Sequence, residues 1–179
     1  MMKKQFVVWL AAIGMAACLL SYATAQHHSN AVTVELKDGT GASVGTVTIT
    51  PVSKDKGVRV KLDLKNMPPG QHGIHFHEMA KCEGPNFESS GAHFNPDSKM
   101  HGLKNPKGPH AGDLLNFTVS ANGTAKSTLS DVRVNLGADN HSLYTNGGTS
   151  IIIHAGKDDL KTDPSGNSGG RIACGVISK

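Results

Sequence analysis

Aromatic side chains are scarce, 4% of the 179 residues with a single tryptophan, and the Lys and Arg residues are dispersed rather than gathered into a stripe. Without an aromatic-interleaved basic surface the chain offers nucleic acid neither stacking platforms nor a phosphate track, so no nucleic-acid partner is expected. Cysteine is limited to Cys18, Cys82 and Cys174. The longest apolar run, Phe6–Leu20, stops short of the ~20 residues that a membrane-spanning helix needs. No stretch carries a persuasive amphipathic helical period. What is plentiful is glycine, 21 residues, set between short runs of Val, Thr and Ile, a composition of turns and strands.

The apolar run has another use. It follows the basic Met1-Met2-Lys3-Lys4 and precedes Ala23-Thr24-Ala25, a small-x-small cleavage pattern, so residues 1–25 are expected to be an export signal peptide. An alternative stays open: Met15-Ala16-Ala17-Cys18 is a degenerate lipobox, which would make 1–17 a lipoprotein signal and Cys18 a lipidated N-terminus and membrane anchor. Residues 26–30 read as a polar leader, and one domain spans 31–179. Cleavage after Ala25 takes the 18 basic side chains to 16 against 14 acidic ones, so the sequence pI overstates the basicity of the mature chain. The expected location is extracytoplasmic, in the periplasm, at the cell surface or secreted. In that oxidising setting Cys82 and Cys174 most simply form one disulfide, with two buried thiols as the alternative.

From residue 31 the chain gives "AVTVELK", the turn "DGTG", "SVGTVTIT", "GVRVKLDL" and, after the turn "NMPPGQ", "HGIHFHE". These are period-two runs at hairpin spacing. Downstream, "LNFTVS", "TAKSTLSDVRV", "TSIIIHA" and "RIACGVIS" repeat the character. Eight short strands predict an all-β fold, an eight-stranded antiparallel Greek-key sandwich or barrel. Two long loops, 78–113 and 155–170, break the rhythm, and ordered loops of that length are uncommon unless they bind something or are tied down.

In "GIHFHE" the side chains of His75 and His77 lie at i and i+2 and share one side of an extended strand. Alone, such a pair is more often two surface histidines. The first loop, however, contains "GAHFNPDSKMHGLKNPKGPHAGD", with His93, His101, His110 and Asp113. Three imidazoles and a carboxylate suit four-coordinate Zn²⁺, and ligation would order a loop with few apolar residues. A second set, His75, His77, His154 and again His93, suits Cu²⁺. Cleavage after Ala25 would also expose Gln26-His27-His28, whose amine, backbone amides and third-position imidazole could surround Cu²⁺; the plainer reading is a terminal tail without that role.

The motifs "GIHFHE", "GAHFNP", "HGLKNPKGPHAGDL", "IIIHAGKDDL" and "SGGRIACGVI" resemble, in order and spacing, those of bacterial, exported copper/zinc superoxide dismutases over about residues 31–177. The resemblance implies that His75, His77 and His154 bind copper, that His93 bridges copper to zinc and carries a proton, and that His101, His110 and Asp113 complete the zinc site. It further implies a Cys82–Cys174 disulfide, Arg171 as the cation that receives superoxide, Asp158 as a carboxylate linking His75 to His101, and His72 as a brace for the site. The implied activity is conversion of superoxide to O₂ and hydrogen peroxide by Cu²⁺/Cu⁺ cycling. A non-catalytic extracytoplasmic copper/zinc-binding protein is the alternative. Homodimer and monomer both stay open, and His141, in "GADNHS", reads as a solvated surface residue.

Overall fold

The computed structural model describes residues 31–52 and 57–179. The expected export signal, the 26–30 leader and Gln26-His27-His28 lie outside the described residues.

Strands β1 (Val32–Asp38), β2 (Ser43–Pro51) and β3 (Val58–Leu64) form an antiparallel meander. Its register sets Val34 opposite Val47 and Val47 opposite Leu62. One face therefore collects Val34, Leu36, Val47, Ile49, Val60 and Leu62, all buried, while Glu35, Lys61 and Asp63 alternate outward. The turn after β1 is closed locally, because Asp38 Oδ1 accepts the Thr40 and Ala42 N–H groups at 2.9 and 3.0 Å.

The next strands are β4 (Gly70–His72), β5 (Ile74–His77), β6 (Phe117–Val119), β7 (Ala125–Asp131), β8 (Thr149–His154) and β9 (Arg171–Ile177). Seven strands make one antiparallel sheet in the order β5-β8-β9-β1-β2-β3-β7, and β4 pairs with β6 alongside. After β3 the chain crosses to the far edge of the sheet and returns to β3 only as β7, a Greek-key-type crossover. The described residues contain no α-helix, only 3₁₀ turns at Glu88–Ser90 and Thr145–Gly147.

The all-β antiparallel architecture is as expected, with two local differences. The strand expected at 72–78 is two strands, β4 and β5, so the described residues contain nine rather than eight, and β4 begins inside the expected turn. The break falls at Gly73, whose backbone bonds to the second loop through Gly156 O and to the His154 N–H. A Cβ there would lie 3.1–3.3 Å from Ser168, Asp158 and His75 side-chain atoms. The run expected at 124–134 stops at Asp131, where Asp131 Oδ1 accepts the Arg133 N–H at 2.9 Å and turns the chain.

Alternation on β5, β8 and β9 sets up the site. Ile74, Phe76, Ile151, Ile153 and Ala173 enter the main core with Phe94, Leu114 and Phe117. The opposite face carries His75, His77, Ile152 and Cys174, and Phe87 and Cys82 pack on Ile152 and Cys174. The first loop is sewn to the free edge of β5: Phe76 N–H donates to Gly112 O, Phe94 N–H to Phe76 O, and Glu78 N–H to Ala92 O, all at 2.8–2.9 Å. Gly112 permits the approach, since a Cβ would sit 2.4 Å from Phe76 O. The Cys82–Cys174 disulfide, with Cα atoms 5.7 Å apart, pins the same loop to β9.

Candidate metal centre

Between the outer face of β5 and β8 and the two loops lie His75, His77, His93 and His154, all buried. Their ligand atoms fall within 4.8 Å of one another. In each of three rings one nitrogen is spent on the protein. His75 Nε2 donates to Asp158 Oδ2 at 2.8 Å, His77 Nδ1 to Gly91 O at 2.9 Å and His154 Nδ1 to Gly169 O at 3.0 Å. These partners accept only, so they assign the tautomers and leave a lone pair on each opposite nitrogen. Those nitrogens, His75 Nδ1, His77 Nε2 and His154 Nε2, together with His93 Nε2, are buried without a hydrogen-bond partner. Four convergent, unsatisfied imidazole lone pairs are costly in an apolar layer unless a cation takes them, and an all-imidazole set fits copper.

Burial also keeps these rings neutral. It holds His75 down to about 3 and His154 down to about 4, and it lowers His77 and His93. Neutral imidazole is the ligating form.

Behind His93 sits a second set. Asp113 Oδ1 lies 3.0 Å from His93 Nδ1, 3.0 Å from His101 Nδ1 and 3.3 Å from His110 Nδ1, and His93 and His110 Nδ1 are 3.4 Å apart. A tetrahedral ion with bonds of about 2.0 Å sets its ligands roughly 3.3 Å from one another, so the spacing fits zinc. Asp113 Oδ2 is held by the Gly102 and His110 N–H groups at 2.8 and 3.0 Å, which turns Oδ1 toward the imidazoles. His75 also has a ligand atom within reach of His93, His101 and Asp113, but its Nε2 is committed to Asp158, so His110 is the better fourth member.

Asp158 spans the two sets. Fully buried, it reaches His75 Nε2 at 2.8 Å and His101 Nε2 at 3.1 Å. Burial alone would raise its carboxyl, but bonds from His101, His75 and the Leu160 N–H outweigh that and hold it well below the usual carboxylate range. For His101, burial likewise opposes charge, yet Asp113 and Asp158 push it up to about 9. Gly166 sits at φ +65°, and a Cβ there would fall 1.7 Å from Asp158 Oδ1, so only glycine fits beside that carboxylate.

Arg171, opposite His154 across the β8–β9 ladder, lines a cleft of about 880 Å³ with His77, His93 and His154 at its base. Its Nη1 donates to Phe87 O at 2.7 Å and Ser90 Oγ at 2.8 Å, and its Nη2 to Gly91 O at 2.8 Å. His72 is buried behind the centre, with Nδ1 2.8 Å from His154 O and Nε2 2.8 Å from Pro68 O. His141 lies apart from the centre. It is half-buried rather than simply solvated, with Nε2 3.1 Å from Asp97 Oδ2.

Sequence reasoning missed four residues. Asn116 and Asp158 exchange hydrogen bonds. Ser90 contacts Arg171. Asp163 accepts the His101 N–H at 2.6 Å. Arg133 donates to the Asp113 carbonyl and pairs with buried Asp131 at 3.0 Å. Apart from the local Arg133–Asp131 pair, each partner lies 20 or more residues away along the chain, so no local pattern pointed to these four.

This geometry has counterparts. A superoxide dismutase (Cu-Zn) of Aquifex aeolicus is 40% identical over 166 residues, covering 91% of this chain and 95% of that one. One of Caulobacter vibrioides is 43% identical over 148 residues, covering 81% and 84%. Among solved structures, a superoxide dismutase-like protein from Bacillus subtilis superposes with a TM-score of 0.77 at 38% identity, covering 81% of this chain and 97% of that one. The Cu/Zn superoxide dismutase from Brucella abortus superposes with a TM-score of 0.68 at 28% identity, covering 83% and 99%. The family model described as copper/zinc superoxide dismutase matches residues 43–177. Because that match runs from β2 through β9 and takes in both histidine sets, the chain belongs to the copper/zinc superoxide dismutase family.

Proposed function

We propose that the protein performs its family's reaction, two superoxide anions and two protons giving O₂ and hydrogen peroxide, with copper held by His75, His77, His93 and His154 and zinc by His93, His101, His110 and Asp113. Membership of the family makes it a superoxide dismutase with copper and zinc as cofactors. The observation that carries the ligand assignment is the convergence of four buried, unpartnered imidazole nitrogens beside a carboxylate-centred cluster that shares His93. When bound, copper supplies a one-electron centre that alternates between Cu²⁺ and Cu⁺, while zinc, with no accessible redox step, orders the far side of His93.

The side chains divide the remaining work. His93 alone belongs to both sets, so its Nε2, facing the copper-side histidines, is the atom placed to hold a proton and release it to the reduced oxygen species. Solvent in the cleft supplies the second proton. Arg171 is a fixed cation beside His77 and His154 and draws in the small anion. Gly91 O, Gly169 O and Asp158 hold three imidazoles in the required tautomer, Asp158 joins the two halves, and His72 braces His154 from behind. A metal carrier would have no need of an arginine fastened at the mouth.

Export rests on the 1–25 pattern and on the Cys82–Cys174 disulfide, which suits an oxidising compartment. Intact mass of the mature chain separates cleavage after Ala25 from lipidation at Cys18. Superoxide consumption by the copper- and zinc-loaded protein tests the activity. A rate no higher than that of free copper, with both metals bound, overturns it.

A further inference from the structure

Ser90 belongs to neither ligand set, yet it is fully buried where the first loop meets β9. Its Oγ donates to Phe87 O at 2.8 Å and accepts from Arg171 Nη1 at 2.8 Å. Phe87 O accepts from the same Nη1 at 2.7 Å. Nη1 carries two N–H groups, and these two acceptors use both. Nη2 gives one N–H to Gly91 O and keeps one that meets no protein acceptor among the described residues. A guanidinium saturated at one terminal nitrogen cannot turn about its stem without breaking charge-assisted bonds, so Nη2 is the terminal nitrogen it presents to the cleft.

We propose that Ser90 is a positioning residue for superoxide dismutation: its hydroxyl saturates Arg171 Nη1 and thereby sets which edge of the guanidinium meets the incoming anion. The proposal rests on the reading of Arg171 as the anion guide. A route through His77 is the competing account, since Ser90 Oγ lies 3.4 Å from His77 Nδ1. That separation is at the long limit for a hydrogen bond, and His77 Nδ1 already donates to Gly91 O at 2.9 Å. The short bond the hydroxyl accepts is the one from the arginine, at 2.8 Å.

The test is azide binding to the copper- and zinc-loaded protein, followed by optical titration, in a double-mutant cycle of Ser90→Ala and Arg171→Leu. Ser90→Ala is expected to fold, because Phe87 O keeps Arg171 Nη1 and the backbone N–H of residue 90, which reaches it at 3.1 Å. Arg171→Leu should weaken azide about tenfold and Ser90→Ala about threefold. Adding Ser90→Ala to Arg171→Leu should change nothing further. Ser90→Thr, which keeps the hydroxyl, should bind azide as the unmodified protein does, and the azide-free Cu²⁺ EPR spectrum should be the same in Ser90→Ala. If Arg171→Leu leaves azide affinity unchanged, the reading of Arg171 fails and takes the proposal with it. If Arg171→Leu weakens azide but Ser90→Ala does not, or weakens it equally in both backgrounds, the role of Ser90 alone is overturned.

Discussion

Asn116, just before β6, and Asp158, in the second loop, hold each other: Asn116 Nδ2 donates to Asp158 O at 2.8 Å and the Asp158 N–H donates to Asn116 Oδ1 at 2.9 Å. The backbone of the residue that joins the two histidine sets is thus clamped by the side chain that immediately precedes β6. Asn116→Ala should leave a buried N–H and C=O unpaired, destabilising the fold by about 1–3 kcal/mol. It should also loosen both metals, because Asp158 touches His75 and His101. Calorimetry and metal analysis after dialysis against chelator check this; full retention of copper and zinc would show the clamp to be irrelevant to the centre.

His93→Ala should deplete both metals, whereas His77→Ala should deplete copper and spare zinc. Only His93 offers one nitrogen to each set, Nε2 among the unpartnered four and Nδ1 beside Asp113. Elemental analysis of the two purified variants decides it. Equal zinc loss in both would refute the partition.

Reducing Cys82–Cys174 should lower stability by about 2–5 kcal/mol and weaken zinc retention. The bridge closes a 92-residue separation and holds the segment that leads to His93 against β9. The measurements are the thermal midpoint and the zinc off-rate with and without a reductant. Unchanged values in both would remove the bridge from any role at the centre.

The metal-free protein should lose stability as pH falls from about 6.5 toward 4. His75 and His154 titrate at about 3 and about 4 in the fold, and His77 and His93 are also lowered. The unfolded chain, with His near 6.5, therefore binds more protons across this window. A lowered group contributes stability above its unfolded pKa and loses it as pH falls through the folded one. His101, raised to about 9, has the opposite sign: its contribution is complete below about 6.5 and fades as pH rises through about 9. It adds no slope in the acid window, because it is protonated in both states there. Asp131, which burial raises to about 6 against Arg133, opposes the trend by one proton between about 4 and 6. Four imidazoles outweigh it, each worth up to about 1.4 kcal/mol per pH unit. Urea unfolding of the metal-free protein at pH 7 and pH 5 is the measurement. An equal or higher midpoint at pH 5 would contradict neutral burial of the four rings.

Much of this protein is written in local pattern. The i, i+2 spacing of His75 and His77 places them on one face because a strand repeats every two residues, and the same parity sends Ile74 and Phe76 to the core. The runs around residues 32–38, 43–51 and 58–64 show their strands for the same reason. The histidines of the first loop could be grouped because they lie within twenty residues of one another. The tertiary structure decided what joins distant segments: the order β5-β8-β9-β1-β2-β3-β7, the break at Gly73 against the second loop, and the clamp of Asn116 on Asp158, 42 residues away. It also decided the fastening of Arg171 to Ser90, 81 residues away. Periodicity is a property of bond geometry between neighbours and survives in the bare sequence. A hydrogen bond between residues so far apart exists only once burial has closed the chain on itself, and which carbonyl or hydroxyl it finds depends on how the whole fold packs.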